Sequence, residues 1–299
     1  MKNRTFRISV ITIFFFLLQY FNSLGIYRAV YGHESEAFKE KTTTEVPTAK
    51  NLSIPLVSFA YGNIANIKHS HSIESSVNTL LQFPFLVCTN PDHLSGEEIK
   101  VADKIKSKIK LFGYVNIGDS ISLDEVKKEI DTLSKSSWYG VFIDQFGYDF
   151  GETRMRQNEI VDYAHEKGLK VFANAWHIDD ALGDKADEIH NPQGEKTHLT
   201  KEDWFLIESF LTDNSGYRED IEAEFERYFK AVNYKKELGI SIAALTYKNH
   251  HLNWENAKPE IAISYYLAIS LGFDGWWYSD RLEDIEFHYG IPPTLKAVN

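Results

Sequence analysis

The sequence predicts an α/β fold, a (β/α)8 TIM barrel that forms a single domain. Two observations predict it: short apolar runs recur eight times along the chain, and most segments between them carry apolar residues spaced three and four apart. A run of about five apolar residues is long enough for a strand buried on both faces, and such strands belong to parallel sheets. Eight alternating units over about 245 residues match the usual size of a barrel.

Each predicted element follows from its own run of residues. The strand-like runs are Ser53–Phe59, Phe83–Cys88, Lys110–Ile117, Tyr139–Asp144, Lys170–Trp176, Trp204–Glu208, Ile240–Thr246 and Asp274–Tyr278. The clearest helix-like segments are Asp124–Leu133, Gln157–His165 and Glu224–Val232. Gly168, Gly239 and Gly272 each precede a strand, where glycine ends a helix in the left-handed conformation. An open doubly wound sheet is disfavoured, because Gly62 is the only glycine where a phosphate-binding loop would follow the first strand.

Composition and charge narrow the function classes. The chain has 299 residues, of which 43% are hydrophobic and 14% aromatic, and its net charge is −11 from 43 acidic against 32 basic residues. Such a chain lacks the basic surface of a nucleic-acid-binding protein. It has more tryptophan than a core of this size needs, and aromatic faces stack well on sugars, so we expect half of the six to be structural. Cys88 is the only cysteine, which excludes an intramolecular disulfide and predicts a core residue.

The first 52 residues are predicted to lie outside the barrel. Lys2, Arg4 and Arg7 precede an apolar stretch, Ile8–Leu18, and small residues follow near Gly25. Residues 1–25 therefore have the pattern of a signal peptide or an uncleaved N-terminal anchor, residues 26–52 have that of a polar linker, and residues 53–299 are predicted to form the barrel domain. The sequence predicts a secreted or extracytoplasmic monomer, with membrane tethering as the alternative to cleavage.

Two acidic residues at strand ends point to chemistry. Asp144 closes the fourth strand-like run and Glu208 closes the sixth. The carboxyl ends of barrel strands meet at one rim, and two carboxylates there suffice for glycosidic-bond hydrolysis, one as acid and one as base or nucleophile. The simpler alternative is a pair of polar strand-end residues held by loop amides.

The strand-end sequences also resemble a known family. The series Phe112–Gly118, Gly140–Asp144, Val171–Ala175 and Phe205–Ser209 is similar to the endo-α-1,4-polygalactosaminidases of glycoside hydrolase family 114 and to spherulin-4-like hydrolases. The resemblance implies a (β/α)8 barrel, a galactosamine-containing exopolysaccharide as substrate, and Asp144 and Glu208 as the catalytic pair. Asp119 stands near where many relatives carry a glutamate, and Gln145 stands where spherulin-like members carry a second acid, so the subfamily stays open.

Other polar and aromatic residues fall at or just beyond the predicted strand ends. The predicted substrate-binding residues are Tyr61, Asn116, Asp119, Asn174, Trp176, Tyr247, Trp277 and Tyr278. Amides bind sugar hydroxyls, aromatic rings stack on sugars, and Asp119 is the candidate for holding an ammonium group. Asp149 is a second candidate acid. The alternative for each is a loop residue with its hydrogen bonds satisfied inside the protein.

Neither a metal nor a cofactor is expected. His69 and His71 form a His-x-His pair, but it lies about ten residues beyond the first strand instead of on it, where metal-dependent barrels hold their ligands. Together with the two strand-end acids, the resemblance implies a glycoside hydrolase that is endo-acting on an amino-sugar polysaccharide. The alternative is a non-catalytic carbohydrate-binding barrel displayed at the surface, since a fold alone does not guarantee activity.

Overall fold

A computed structural model describes residues 54–60, 62–67, 72–213, 215–218 and 220–279. The predicted signal segment, the linker, Tyr61, His69 and His71 lie outside the described residues. Among the residues that are described, no helix is both long and apolar enough to cross a membrane.

Eight strands form one sheet, close to where the apolar runs predicted them. They are β1 Val57–Ala60, β2 Phe85–Thr89, β3 Lys110–Asn116, β4 Gly140–Asp144, β5 Lys170–Asn174, β6 Trp204–Ile207, β7 Ser241–Tyr247 and β8 Gly275–Ser279. Nearly every strand residue is buried, because helices cover the outside while side chains fill the inside.

The sheet closes on itself. Consecutive strands pair in parallel from β1 to β8. Closure comes from a parallel bridge between Leu56 and Trp276, where the Trp276 amide donates to the Pro55 carbonyl at 3.1 Å. The predicted (β/α)8 barrel is confirmed, and the carboxyl ends of all eight strands therefore face one rim.

Helices connect the strands and begin at polar residues. The described helices are α1 Ile73–Leu80, α2 Gly96–Ile105, α3 Leu123–Lys135, α4 Arg154–Glu166, α5 Ile178–Leu182, α6 Ile221–Leu238 and α7 Trp254–Ser270. Ser95 and Ser122 start α2 and α3 in capping boxes, each exchanging hydrogen bonds with the glutamate three residues on. Gly168, Gly239 and Gly272 have φ values of 79°, 73° and 72°, as the helix-ending prediction required.

Aromatic rings fill the lower interior of the barrel. Phe142 of β4 and Phe172 of β5 meet edge to face at 5.2 Å between centroids, and Phe59 of β1 contacts both. Phe85 of β2 and Trp204 of β6 extend the cluster. Much of the aromatic excess in the sequence therefore serves packing, and the upper surface of this cluster is the floor of the site described below.

The connection between β5 and β6 departs from the regular pattern. Its helix, α5, has only five residues, and residues 183–203 then run to β6 without another described helix or a strand of the barrel. The buried Arg154 guanidinium fastens α5, because it donates to the carbonyl oxygens of Asp180, Ala181 and Gly183 at 2.8–3.0 Å. After β6, a two-stranded antiparallel ribbon joins Thr212–Asp213 with Gly216–Tyr217.

Candidate active site

One side-chain amide connects the two strand-end acids. Asn174, at the end of β5, donates through Nδ2 to Oδ1 of Asp144 at 3.0 Å and to Oε2 of Glu208 at 2.9 Å. These two carboxylate oxygens are therefore no more than about 6 Å apart, the sum of the two distances. The barrel brings together carboxylates that are 64 positions apart in the chain.

A tyrosine hydroxyl completes the bonding of each acid. Tyr114 of β3 donates to Oδ2 of Asp144 at 2.7 Å, and Tyr247 of β7 donates to Oε1 of Glu208 at 2.7 Å. Burial raises the pKa of the Tyr114 and Tyr247 hydroxyls above the ordinary value for tyrosine, and the charge of the adjacent carboxylate adds to the effect. Both tyrosines therefore keep their protons at neutral pH and serve as donors. The five side chains form a continuous hydrogen-bonded row across five strands.

The backbone turns sharply directly after each acid. Gln145 and Ser209, the residues that follow Asp144 and Glu208, have positive φ values of 59° and 51°. Such left-handed residues other than glycine are uncommon and recur at functional sites. The next amides then bond to neighbouring strands: Phe146 donates to the Asn174 carbonyl at 2.9 Å, and Phe210 donates to the Leu245 carbonyl at 2.8 Å. These bonds fix the position of both acids.

The acids line a cavity at the carboxyl rim. Its volume is about 570 Å³, enough for more than one sugar ring. Its described lining residues are Phe59, Thr89, Asn90, His93, Tyr114, Asn116, Ile121, Glu129, Phe142, Asp144, Asn174, Leu206, Glu208, Leu245, Tyr247 and Ser279. The floor is apolar and the wall polar, as in sites that bind small polar molecules.

An arginine braces one wall of this cavity. Arg156 donates through Nη2 to the carbonyl oxygens of Ile117 and Ile121, at 3.0 and 2.6 Å, and so holds the loop after β3. Its Nε donates to Oε2 of Glu152 at 3.0 Å. Burial raises the pKa of Glu152 to about 7, although the arginine opposes the shift. Ile121 lines the cavity, so this ion pair supports the shape of the site from behind.

Three of the predicted substrate-binding residues line the cavity. Asn116, paired with Asp144 in the sheet register, accepts a hydrogen bond from the Gly118 amide at 2.8 Å. Asn174 and Tyr247 line it as well, but both hydrogen-bond the acids. Their geometry is that of residues that orient the carboxylates.

The other described candidates lie elsewhere. Asp119 is exposed, and its amide donates to the Phe150 carbonyl. Trp176 is 40% exposed beside the rim, with the guanidinium carbon of Arg218 5.1 Å from its ring centroid. Trp277 is buried edge-on against Phe83.

Two further candidates are not among the residues that line the cavity. Tyr278 is buried and donates to Oε2 of Glu260 on α7 at 3.1 Å. Asp149, the second candidate acid, is exposed in a short 3-10 turn, Tyr148–Phe150. Neither residue lines the cavity, so the cavity supports no substrate contact for Tyr278 and no catalytic role for Asp149.

Sequence reasoning missed Tyr114, His93 and Glu129. Tyr114 had a usable signal, because it lies two residues before Asn116 and alternate strand residues share a face. His93 lies on a short turn after β2, and Glu129 lies in the middle of α3. Nothing local in the sequence indicates that either residue reaches the rim.

No metal centre is found in the part of the chain that the structure describes: no three His, Cys, Asp or Glu side chains there are grouped so that they could hold an ion.

Comparison with known proteins gives likeness in structure only. No protein-family model matches the chain, and no curated protein matches it significantly. The glycoside hydrolase domain of PelA from Pseudomonas aeruginosa superposes with a TM-score of 0.53 at 15% identity, and a variant of that domain with a TM-score of 0.51 at the same identity. Both matches cover 80% of this chain and 99% of the PelA chain.

Other barrels superpose less well. A putative fructose-1,6-biphosphate aldolase from Coccidioides immitis aligns with a TM-score of 0.42 at 11% identity, covering 77% of this chain and 78% of that one. A superposition this distant carries no argument about either fold or function. At such low sequence identity, the likeness to the two PelA structures shows that the chain shares the (β/α)8 fold of that glycoside hydrolase domain. The chemistry of this protein has to be argued from its own site residues.

Proposed function

We propose that this protein is a glycoside hydrolase that cleaves a galactosamine-containing polysaccharide through Asp144 and Glu208. One observation carries the proposal: Asn174 bonds both carboxylates, holding two of their oxygens within about 6 Å at the wall of a sugar-sized cavity. Hydrolysis of a glycosidic bond requires such a pair, one group to protonate the leaving oxygen and one to face the anomeric carbon.

Asp144 is the nucleophile and Glu208 the general acid in this proposal. Glu208 donates its proton to the glycosidic oxygen while Asp144 attacks the anomeric carbon, and water then hydrolyses the glycosyl ester with Glu208 as base. The Tyr247 hydroxyl is both donor and acceptor, so it can turn to accept a hydrogen bond from protonated Glu208. Its bond thus persists in both protonation states of the acid.

The spacing of the carboxylates supports retention of anomeric configuration. Retaining enzymes hold the two groups about 5–5.5 Å apart, whereas inverting enzymes need about 6.5–9.5 Å to admit water. The bound of about 6 Å between the two oxygens lies closer to the retaining value. We expect NMR of the first products to give the substrate's own anomer. Initial appearance of the opposite anomer would assign Asp144 as a general base instead.

Three observations support the proposed reaction and substrate class. The strand-end sequences resemble the polygalactosaminidases, and the PelA domain that shares the fold is a glycoside hydrolase. The cavity is also lined by carboxylates, which suits a polymer that carries amino groups. Endo cleavage is part of the same proposal, as is export through the first 25 residues, which fractionation of cells expressing the full chain would test.

The test is release of reducing ends from a panel of polymers. The panel holds galactosaminogalactan, partially deacetylated polygalactosamine, chitosan and pectin, each incubated with wild type and with the double variant Asp144→Asn, Glu208→Gln. We expect wild-type turnover on the galactosamine polymers and none by the variant. Binding without any turnover would overturn the hydrolase proposal and identify a carbohydrate-binding barrel.

A further inference from the structure

A third carboxylate lines the cavity beside the two acids. Glu129 lies on α3, outside the barrel strands, and reaches the cavity between that helix and the turn after β2. Asn90 fixes the helix there, because its side-chain amide donates to the Glu129 carbonyl at 3.4 Å. Among the described lining residues none is a lysine or an arginine, and His93 is the sole basic side chain.

The Glu129 carboxylate has no partner within the described residues. No hydrogen bond or ion pair among them reaches it, in contrast to Asp144 and Glu208, which each accept two bonds. Partial burial raises the pKa of Glu129, with a smaller opposing effect of the nearby His93. A partly desolvated carboxylate that has no ion-pair partner among the described residues gains from a cation that enters the cavity.

Glu129 lies within electrostatic reach of the reacting groups. Its charge contributes to the raised pKa of Tyr114, after the larger effects of burial and of Asp144. Tyr114 in turn donates to Asp144, the proposed nucleophile. Glu129, Tyr114 and Asp144 line the same cavity, so a sugar substituent that meets Glu129 shares that cavity with the ring being cleaved.

We infer that Glu129 determines specificity by forming an ion pair with a protonated amino group of the sugar chain. The inference rests on the proposed function for its substrate class, but it assigns recognition of the amine to a residue separate from the two acids. A protonated amine supplies the ion-pair partner that Glu129 lacks among the described residues, whereas an N-acetyl group carries no charge. The residue thus favours deacetylated over acetylated sugars. Asp119, exposed and outside the cavity, has no such position.

A binding experiment tests this inference independently of the hydrolase proposal. The full chain carrying Glu208→Gln is titrated with a galactosamine trisaccharide and with its fully N-acetylated counterpart, with and without Glu129→Gln. We expect Glu129→Gln to weaken binding of the amine form about tenfold, the size of one partly desolvated ion pair, and to change binding of the acetylated form less than about twofold. An equal loss on both ligands, or no binding of the amine form before the substitution, would overturn the inference.

Matched variants control for charge alone. Asp124→Asn removes one carboxylate from the exposed first turn of the same helix, and we expect it to leave the ratio of the two affinities unchanged. His93→Gln removes the only basic side chain among the described residues that line the cavity, so the amine form should bind as tightly or more tightly. If Asp124→Asn lowers the ratio as much as Glu129→Gln does, net charge explains selectivity and Glu129 has no specific role. Wild type that binds the amine through Glu129 yet cleaves nothing would refute the hydrolase proposal alone.

Discussion

Strand β6 carries a carboxylate at each end, and the two are held in different ways. Asp203 immediately precedes the strand at the amino rim, and Glu208 immediately follows it at the carboxyl rim. Only four strand residues separate them. The comparison shows how one strand supports stability at one end and chemistry at the other.

Asp203 is saturated by two backbone donors and two side-chain donors. Its oxygens accept from the amides of Val171 and Thr200 at 2.8 and 2.7 Å, and from the Thr200 hydroxyl at 2.9 Å. His165 adds a contact of 3.0 Å, and Asp203 is 0% exposed. No oxygen is left for a ligand, so Asp203 fastens α4, β5 and β6 together.

Among the described residues, only side chains hold Glu208. Asn174 and Tyr247 are its two donors, and the carboxylate is part-exposed in the cavity. Each carboxylate oxygen has room for a second partner. A buried carboxylate with four donor groups is immobilised, whereas two side-chain donors orient Glu208 and leave it open to substrate.

The largest expected effect is on turnover. Glu208→Gln and Asp144→Asn should each lower kcat about a thousandfold, because the proposed general acid or the proposed nucleophile is lost, while the melting temperature changes little. Asp203→Asn is the control at the opposite rim, and its kcat per folded molecule should match wild type. The measurement is the initial rate of hydrolysis, divided by the fraction of the protein that is folded. Comparable kcat in wild type and Glu208→Gln would remove the functional distinction between the two ends.

The next effect is on stability. Asp203→Asn should lower the free energy of unfolding by about 3 kcal/mol, because it leaves His165 and three donors around a buried site that has lost its charge. Urea denaturation measures the change, with Glu208→Gln as the reference. A loss no greater than that of Glu208→Gln would show that the amino rim is not the more strongly held end.

A pair of tyrosines sharpens the comparison further. Tyr247→Phe removes a donor to Glu208 and should lower kcat about tenfold, the worth of one hydrogen bond to a charged group. Tyr278→Phe removes the donor to Glu260 on the outer side of the barrel and should cost about 1 kcal/mol of stability with no change in kcat. If both variants lose turnover equally, proximity to Glu208 is not what matters.

The smallest effect is the pH dependence of the amino-rim pair. The hydrogen bond with Asp203 raises the pKa of His165, so the stabilisation from His165 is complete below about pH 6.5, the unfolded value, and is lost as the pH rises through the folded value. Burial alone would raise the pKa of Asp203, but bonds from His165 and the Val171 amide outweigh it and lower the pKa. The contribution of Asp203 is therefore present above about pH 3.9 and lost as the pH falls.

The pH prediction has a matched control. The difference in unfolding free energy between wild type and His165→Gln should be greatest between about pH 4 and 6.5 and should shrink on either side. His198→Gln removes a histidine from the exposed pair with Asp162 and should cost little at any pH. A flat difference for His165→Gln would mean that the pair contributes no charge-dependent stability.

The sequence by itself determined the barrel and the positions of its two acids. Apolar runs bounded by polar residues suffice to specify buried parallel strands, and Gly168, Gly239 and Gly272 mark helix ends because a left-handed residue there favours glycine. Asp144 and Glu208 follow from the rule that strand ends share a rim. These features depend on local patterns of residues, so they can be predicted from the sequence alone.

Only the tertiary structure decided which neighbours reach the cavity. A strand buried on both faces gives no polarity signal, so the sequence does not show that Ser279 lines the cavity while Tyr278 bonds Glu260 behind the strand. Asn174 bonds both acids because of the stagger between strands, and Glu129 enters because α3 packs against the turn after β2. Register and packing arise from contacts between distant segments, and no local pattern encodes them.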